Sequence, residues 1–137
     1  MNMNSGDHPD VATAAAQEVV AFDVRHLSEE QLAAWYARAR IFAFPSLDEG
    51  FGMPVVEAMA AGVPVITANR SALPEVAGEA ALLVDPSRGD DLASAMVRLA
   101  GDADLHARLS ALGKERAARF TWAAAVEQTL GVYRELN

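Results

Sequence analysis

Glu49 and Glu57, eight positions apart, flank a bend made of Gly50-Phe51-Gly52-Met53. An ionised carboxylate only accepts hydrogen bonds, which suits it to sugar hydroxyls. Gly50 and Gly52 have no Cβ, so main-chain N–H groups there allow a ligand to come close. Pro54 fits the first turn of a helix, whose opening adds unpaired N–H groups and a partial positive charge. Such a place suits phosphate. One acid beside the bend and another a turn into the helix could grip two sugars on either side of a diphosphate, the layout of a nucleotide sugar. The same acids also fit a solvated loop residue and a favourable first-turn helix residue. Spacing alone leaves both readings open.

The elements that must position this bend are legible from pattern. Val19–Val24 clusters β-branched and aromatic residues and reads as a strand. Ser28 and Gln31 have the form of a capping box, opening a helix with Leu32, Trp35, Tyr36 and Ala39 on one face. Ile41–Phe44 is an apolar strand stopped by Pro45, Pro54–Ala61 a helix that exits at Gly62, Val63–Thr67 a second strand, and Ala81–Val84 a third. Strands apolar on both faces, alternating with helices, indicate a parallel sheet covered on both sides. Ligands of such open α/β sheets bind at the carboxyl ends of the strands, which is where the bend leaves Ile41–Phe44.

The last third reads as helical. Leu92, Met96 and Leu99 recur at helical spacing, as do Leu105, Leu109 and Leu112. Thr121 can cap a final helix with Trp122, Val126, Leu130 and Tyr133 in one stripe. Core packing is the expectation for Trp35, Tyr36, Trp122 and Tyr133. The fold class is therefore α/β, a partial Rossmann-like parallel sheet with helices on both faces and a helical carboxy-terminal third. Residues 1–18 read as a tail with an uncertain helix, and 19–137 as one unit.

At 137 residues the chain holds one domain, at roughly 150 residues per domain. With 52% hydrophobic and 22% charged residues, it has the composition of a globular protein and not of a disordered one. No apolar run approaches the roughly 18 residues that span a bilayer. Residues Met1–His8 carry neither the basic nor the apolar part of a signal peptide, so a cytoplasmic location is expected. The absence of cysteine excludes disulfides, thiolate metal sites and a cysteine nucleophile. A net charge of −8, from 19 acidic against 11 basic side chains, argues against nucleic acid or an anionic membrane as partner.

The stretch Glu49-Gly50-Phe51-Gly52 with Pro54-Val55-Val56-Glu57-Ala58-Met59-Ala60 resembles the E-x7-E signature of group 1 glycosyltransferases, retaining transferases with two facing Rossmann-like domains (the GT-B fold). Further blocks match in order: Gly62–Ile66, Ser71–Gly78, Ala81–Pro86, Arg119–Trp122 and Val132–Arg134. The likeness runs from about His26 to Leu136. It implies a carboxy-terminal donor-binding domain that takes a nucleotide-diphosphate sugar, as in polysaccharide biosynthesis. Glu49 would contact the donor sugar as the catalytic-site acid. Amides of Gly50, Phe51, Gly52 and Met53 would meet the sugar and distal phosphate, Glu57 the ribose, and the backbone of His26 and Leu27 the nucleobase. No metal and no cofactor is implied.

The resemblance further implies that the acceptor-binding domain is missing, because a complete enzyme needs roughly 300 residues at the same rate per domain. The segment that supplies an Arg and a Lys to the diphosphate is missing too. The one lysine, Lys114, sits in a carboxy-terminal helix. Charge-assisted hydrogen bonds contribute about 1.5–3 kcal/mol each, so losing two weakens donor binding roughly 10²–10⁴-fold. Weak nucleotide binding and no transfer by the chain alone are expected. In the Rossmann-like strand order, Val19–Val24 is the third strand and Ile41–Phe44 the fourth, whose neighbour, the first, is missing. That open edge should recruit Val19–Val24, a second copy or an acceptor-domain chain. A non-catalytic domain that binds nucleotide weakly or associates with a partner is the alternative.

Other signals are weaker. Asp102-Ala103-Asp104 has the D-x-D form of metal-dependent transferases but precedes a Leu-periodic helix, where Asp is an ordinary cap. Val55 stands where a dinucleotide fingerprint needs its third glycine. A glycosidase pair would face across a cleft, whereas Glu49 and Glu57 share one turn. His8, His26 and His106 show no metal spacing, and His106 is expected to be a solvated helix residue.

Overall fold

The computed structural model describes residues 27–135; Val19–Val24, the tail and His26 lie outside the described residues. Helix α1 (Glu29–Arg38) opens with a complete capping box. Ser28 Oγ accepts from the Gln31 N–H at 3.2 Å, and Gln31 Oε1 accepts from the Ser28 N–H at 2.9 Å. Strand β1 (Phe42–Phe44) follows, then α2 (Met53–Ala60), β2 (Val65–Ala68), α3 (Leu73–Ala77) and β3 (Ala81–Val84). Three helices complete the described chain: α4 (Gly89–Gly101), α5 (Ala103–Ala117) and α6 (Trp122–Glu135).

The strands form one parallel sheet in the order β1-β2-β3, with Phe42 beside Val65 and Val65 beside Ala81. β2 starts two residues later than its apolar pattern predicts. Val63 is taken by the exit of α2: its N–H donates to Ala58 O and that of Gly62 to Met59 O, each at 2.9 Å. This paired closure needs a left-handed residue, and Gly62 supplies it at φ 77°.

Helices cover both faces of the sheet. On one face Val65 packs with Val55 and Met59 of α2 and Leu73 and Val76 of α3. On the other, Ile66 packs with Leu99 of α4 and Leu105 and Leu109 of α5. A fully buried Ile or Leu contributes about 1.5–3 kcal/mol. Helix α5 reaches both cores, because Leu112 and Ala117 join the first cluster and Gly113 lies against Met59. Thr67, the buried polar residue of β2, donates to Phe44 O at 3.0 Å and ties β2 to β1.

Two expectations are corrected. Three residues of the α6 stripe are not core: Trp122 is 88% exposed, and Val126 and Leu130 are also open to solvent, while the Tyr133 side chain lies outside the described residues. The pattern marked a face that favours cover, and no described element provides it. His106 is not a freely solvated residue either. It is half-buried, and its Nε2 lies 2.9 Å from Arg40 O, joining α5 to the segment before β1. Among the described residues β1 pairs with β2 alone. No helix of the described residues is long and apolar enough to cross a membrane.

Candidate functional site

The bend after β1 occupies the carboxyl edge of the sheet. Gly50, Phe51 and Met53 are exposed there, while Gly52 is buried. The two glycines do different work. Gly52 has φ 90°, and a Cβ on it would come within 2.6 Å of Leu73 Cδ2, so backbone geometry and α3 packing both require glycine. A Cβ at Gly50 would meet nothing within 4 Å. Gly50 therefore leaves open space on the outside of the bend.

Helix α2 begins at Met53 with no side-chain cap and no acid in its first turn. Helices α1, α3, α4 and α5 all carry an acidic residue in theirs. The N–H groups of Gly50, Phe51, Gly52 and Met53 meet no acceptor among the described residues. Unpaired donors and an unneutralised dipole end make this the part of an acidic chain best suited to an anion. Phe51 is steadied by an edge-to-face contact with Phe120, ring centroids 5.5 Å apart. Phe120 also carries the Arg116 guanidinium over its ring, and Arg116 donates to Glu75 O and Val76 O at the end of α3.

Each glutamate has a hydroxyl partner that the sequence reading did not assign. Ser46 Oγ lies 3.1 Å from Glu49 Oε1 and 3.2 Å from Asp48 O, two acceptors for its single proton. Tyr36 Oη donates to Glu57 Oε2 at 3.1 Å. Tyr36 was expected in the core, and its ring is there, edge-on to Phe42 at 5.5 Å. Burial, then the Glu57 charge and hydrogen bond, raise the Tyr36 pKa well above its ordinary value, so the phenol remains a donor at neutral pH. The signal for Tyr36 was its polar tip, since a buried tyrosine hydroxyl usually finds a partner.

The structure gathers Glu49, Gly50, Phe51, Gly52 and Met53 in one turn, with Glu57 a helical turn beyond on α2. Leu27 is half-buried ahead of α1 and shares no hydrogen bond with this turn. Lys114 lies at the opposite end of α2, its Cε 2.4 Å from where a Gly62 Cβ would stand. Asp102 is the cap of α5, accepting from the Leu105 N–H at 2.9 Å. Among the described residues no group of three or more His, Cys, Asp or Glu is placed to hold a metal ion.

A family model described as glycosyl transferases group 1 matches residues 5–102. The O-antigen chain mannosyltransferase B of Escherichia coli is 38% identical over 111 residues, covering 81% of this chain and 29% of that protein. Sucrose-phosphate synthase from Thermosynechococcus elongatus superposes with a TM-score of 0.70 at 36% identity, covering 81% of this chain and 29% of the other. The carboxy-terminal domain of a glycosyl transferase group 1 family protein from Francisella tularensis superposes with a TM-score of 0.63 at 27% identity, over 74% of this chain and 51% of that one. The chain thus spans less than a third of the length of the curated relative.

Proposed function

The chain belongs to the group 1 glycosyltransferases, and from that premise we propose that it is the donor-binding part of a retaining transferase that uses a nucleotide-diphosphate sugar. The observation that carries this reading is the uncapped start of α2, with N–H donors that meet no acceptor among the described residues, between two carboxylates that are each held by a hydroxyl. The amides of Gly50 to Met53 would receive the distal phosphate. Glu49 would accept from hydroxyls of the transferred sugar and Glu57 from those of the ribose. Leu27 and His26 would flank the base.

Main-chain donors and a helix dipole bind phosphate without adding positive side chains, which fits a chain of net charge −8. Binding would be weak and transfer absent without an acceptor domain, which would close over the sugar and exclude water. No metal or cofactor enters the scheme. NMR titration of the purified chain with UDP-glucose and GDP-mannose tests it. Shifts at Gly50–Met53 and Glu57 at millimolar donor are expected, and a chain whose spectrum ignores both donors would not have this function.

A second reading, association with another chain without catalysis, is favoured by the exposed stripe Trp122, Val126 and Leu130. Under it, Glu57→Ala would change little beyond the lost Tyr36 hydrogen bond and would leave association with the other chain intact.

A further inference from the structure

We propose that Ser71 is a positioning residue of the donor site, holding Asp48 and Glu49 in place before any ligand arrives. This inference rests on the donor-binding reading of Glu49. Ser71 lies at the carboxyl edge of the sheet between β2 and α3, 22 residues from Glu49 in sequence. Its Oγ accepts from the Glu49 N–H at 3.2 Å. The hydroxyl proton has two acceptors in reach, Glu49 O at 2.7 Å and Asp48 Oδ1 at 3.0 Å. Every hydrogen bond of this side chain ends on Asp48 or Glu49.

The backbone of Ser71 makes the point sharper. At φ 56° it is in the left-handed region, and it is the one non-glycine residue there among the described residues. A Cβ in that region is unfavourable, and glycine would take the same conformation without that penalty. Ser71 is exposed, so core packing does not explain why a side chain is carried at this place. What serine adds over glycine is the hydroxyl. Two residues on, buried Leu73 packs under Gly52. The segment from Ser71 to Leu73 thus grips the bend twice, at its entrance through hydrogen bonds and from beneath through apolar contact. Residues held in sparsely populated conformations collect at sites where geometry must be set in advance.

Two variants separate positioning from simple structural support. Ser71→Gly removes the hydroxyl and suits the positive φ, so it folds; Ser71→Ala removes the hydroxyl and keeps the strain. In the ligand-free chain, amide hydrogen exchange at Glu49 is expected to rise about 10-fold in both, with α1 unaffected. Titrations with UDP-glucose against UDP, and GDP-mannose against GDP, give the ligand readout. The preference for the sugar-bearing nucleotide is expected to fall roughly 5-fold in Ser71→Gly, with the bare diphosphate bound as before. Unchanged exchange at Glu49, an unchanged preference, or an equal loss for both ligands overturns the inference while leaving the proposed function standing. A wild-type chain that binds none of the four nucleotides overturns both.

Discussion

Helices α2 and α5 both begin beside acidic residues, yet they start in opposite ways. At α5 the Asp102 carboxylate turns back onto the Leu105 N–H at 2.9 Å, and Asp104 adds a second charge in the first turn. Its dipole end is satisfied from within. At α2 the capping position is Gly52, left-handed at φ 90° and ψ 47°, with no side chain to turn back and no acid in the first turn. That end meets no side-chain acceptor among the described residues. A D-x-D pattern that looks like transferase chemistry is therefore a closed helix start, while the glycine bend is an open one. Presence of acid near a helix start says little until its hydrogen bonds are known.

Five substitutions test this contrast. Gly52→Ala should do the most damage, because the new Cβ meets Leu73 and the backbone is left-handed. A loss of about 2–4 kcal/mol in unfolding free energy is expected by denaturant titration, against under about 1 kcal/mol for Gly50→Ala. Equal losses at both glycines would erase the distinction between them. Glu57→Ala comes next, with donor binding about 10–100-fold weaker and stability near wild type. Asp102→Ala should show the reverse, about 1 kcal/mol less stable with donor binding untouched. Tyr36→Phe keeps the buried ring and removes only the hydroxyl, so donor affinity should fall roughly 2–10-fold. If Tyr36→Phe binds as wild type, Glu57 needs no such support.

The smallest effect concerns acid. Asp85 accepts from the Ser87 N–H at 2.9 Å and pairs with Arg70 at 3.0 Å. The Ser87 hydrogen bond, chiefly, holds its carboxyl below the ordinary value. A group lowered on folding adds stability above its unfolded pKa and loses it as pH falls through the folded one. Wild type should therefore lose thermal stability below roughly pH 4, and Asp85→Asn should lose slightly less over that range. Identical pH profiles for the two chains would assign Asp85 no role. Arg70 follows β2 and Asp85 follows β3, so the pair lies at the carboxyl edge of the sheet that also carries the bend.

Much of the fold was legible in the residues. Alternating apolar strands and capped helices predicted a parallel sheet with both faces covered, and Ala81–Val84 matches its expected bounds. The late start of β2 was hidden because Val63 is as apolar as a strand residue, and only its hydrogen bond to Ala58 assigns it to the helix exit. The α6 stripe misled for a related reason. Periodicity shows which face favours burial, and Trp122 shows that it does not show what is there to bury it.

At the site, the bend and both acids were readable, since their spacing sits within nine consecutive residues. Their supports were not. Tyr36 reaches Glu57 from 21 residues away and Ser71 reaches Glu49 from 22.

The sequence by itself determined where helices start, which of the described segments are strands, and which short stretch forms the candidate site, because caps, turns and periodicity act between near neighbours in the chain. Only the tertiary structure decided which glycine is packed and which is open, and which hydroxyls hold the two acids. Those outcomes depend on how α1, α2 and α3 pack around the sheet, and packing joins residues whose separation along the chain leaves no local trace.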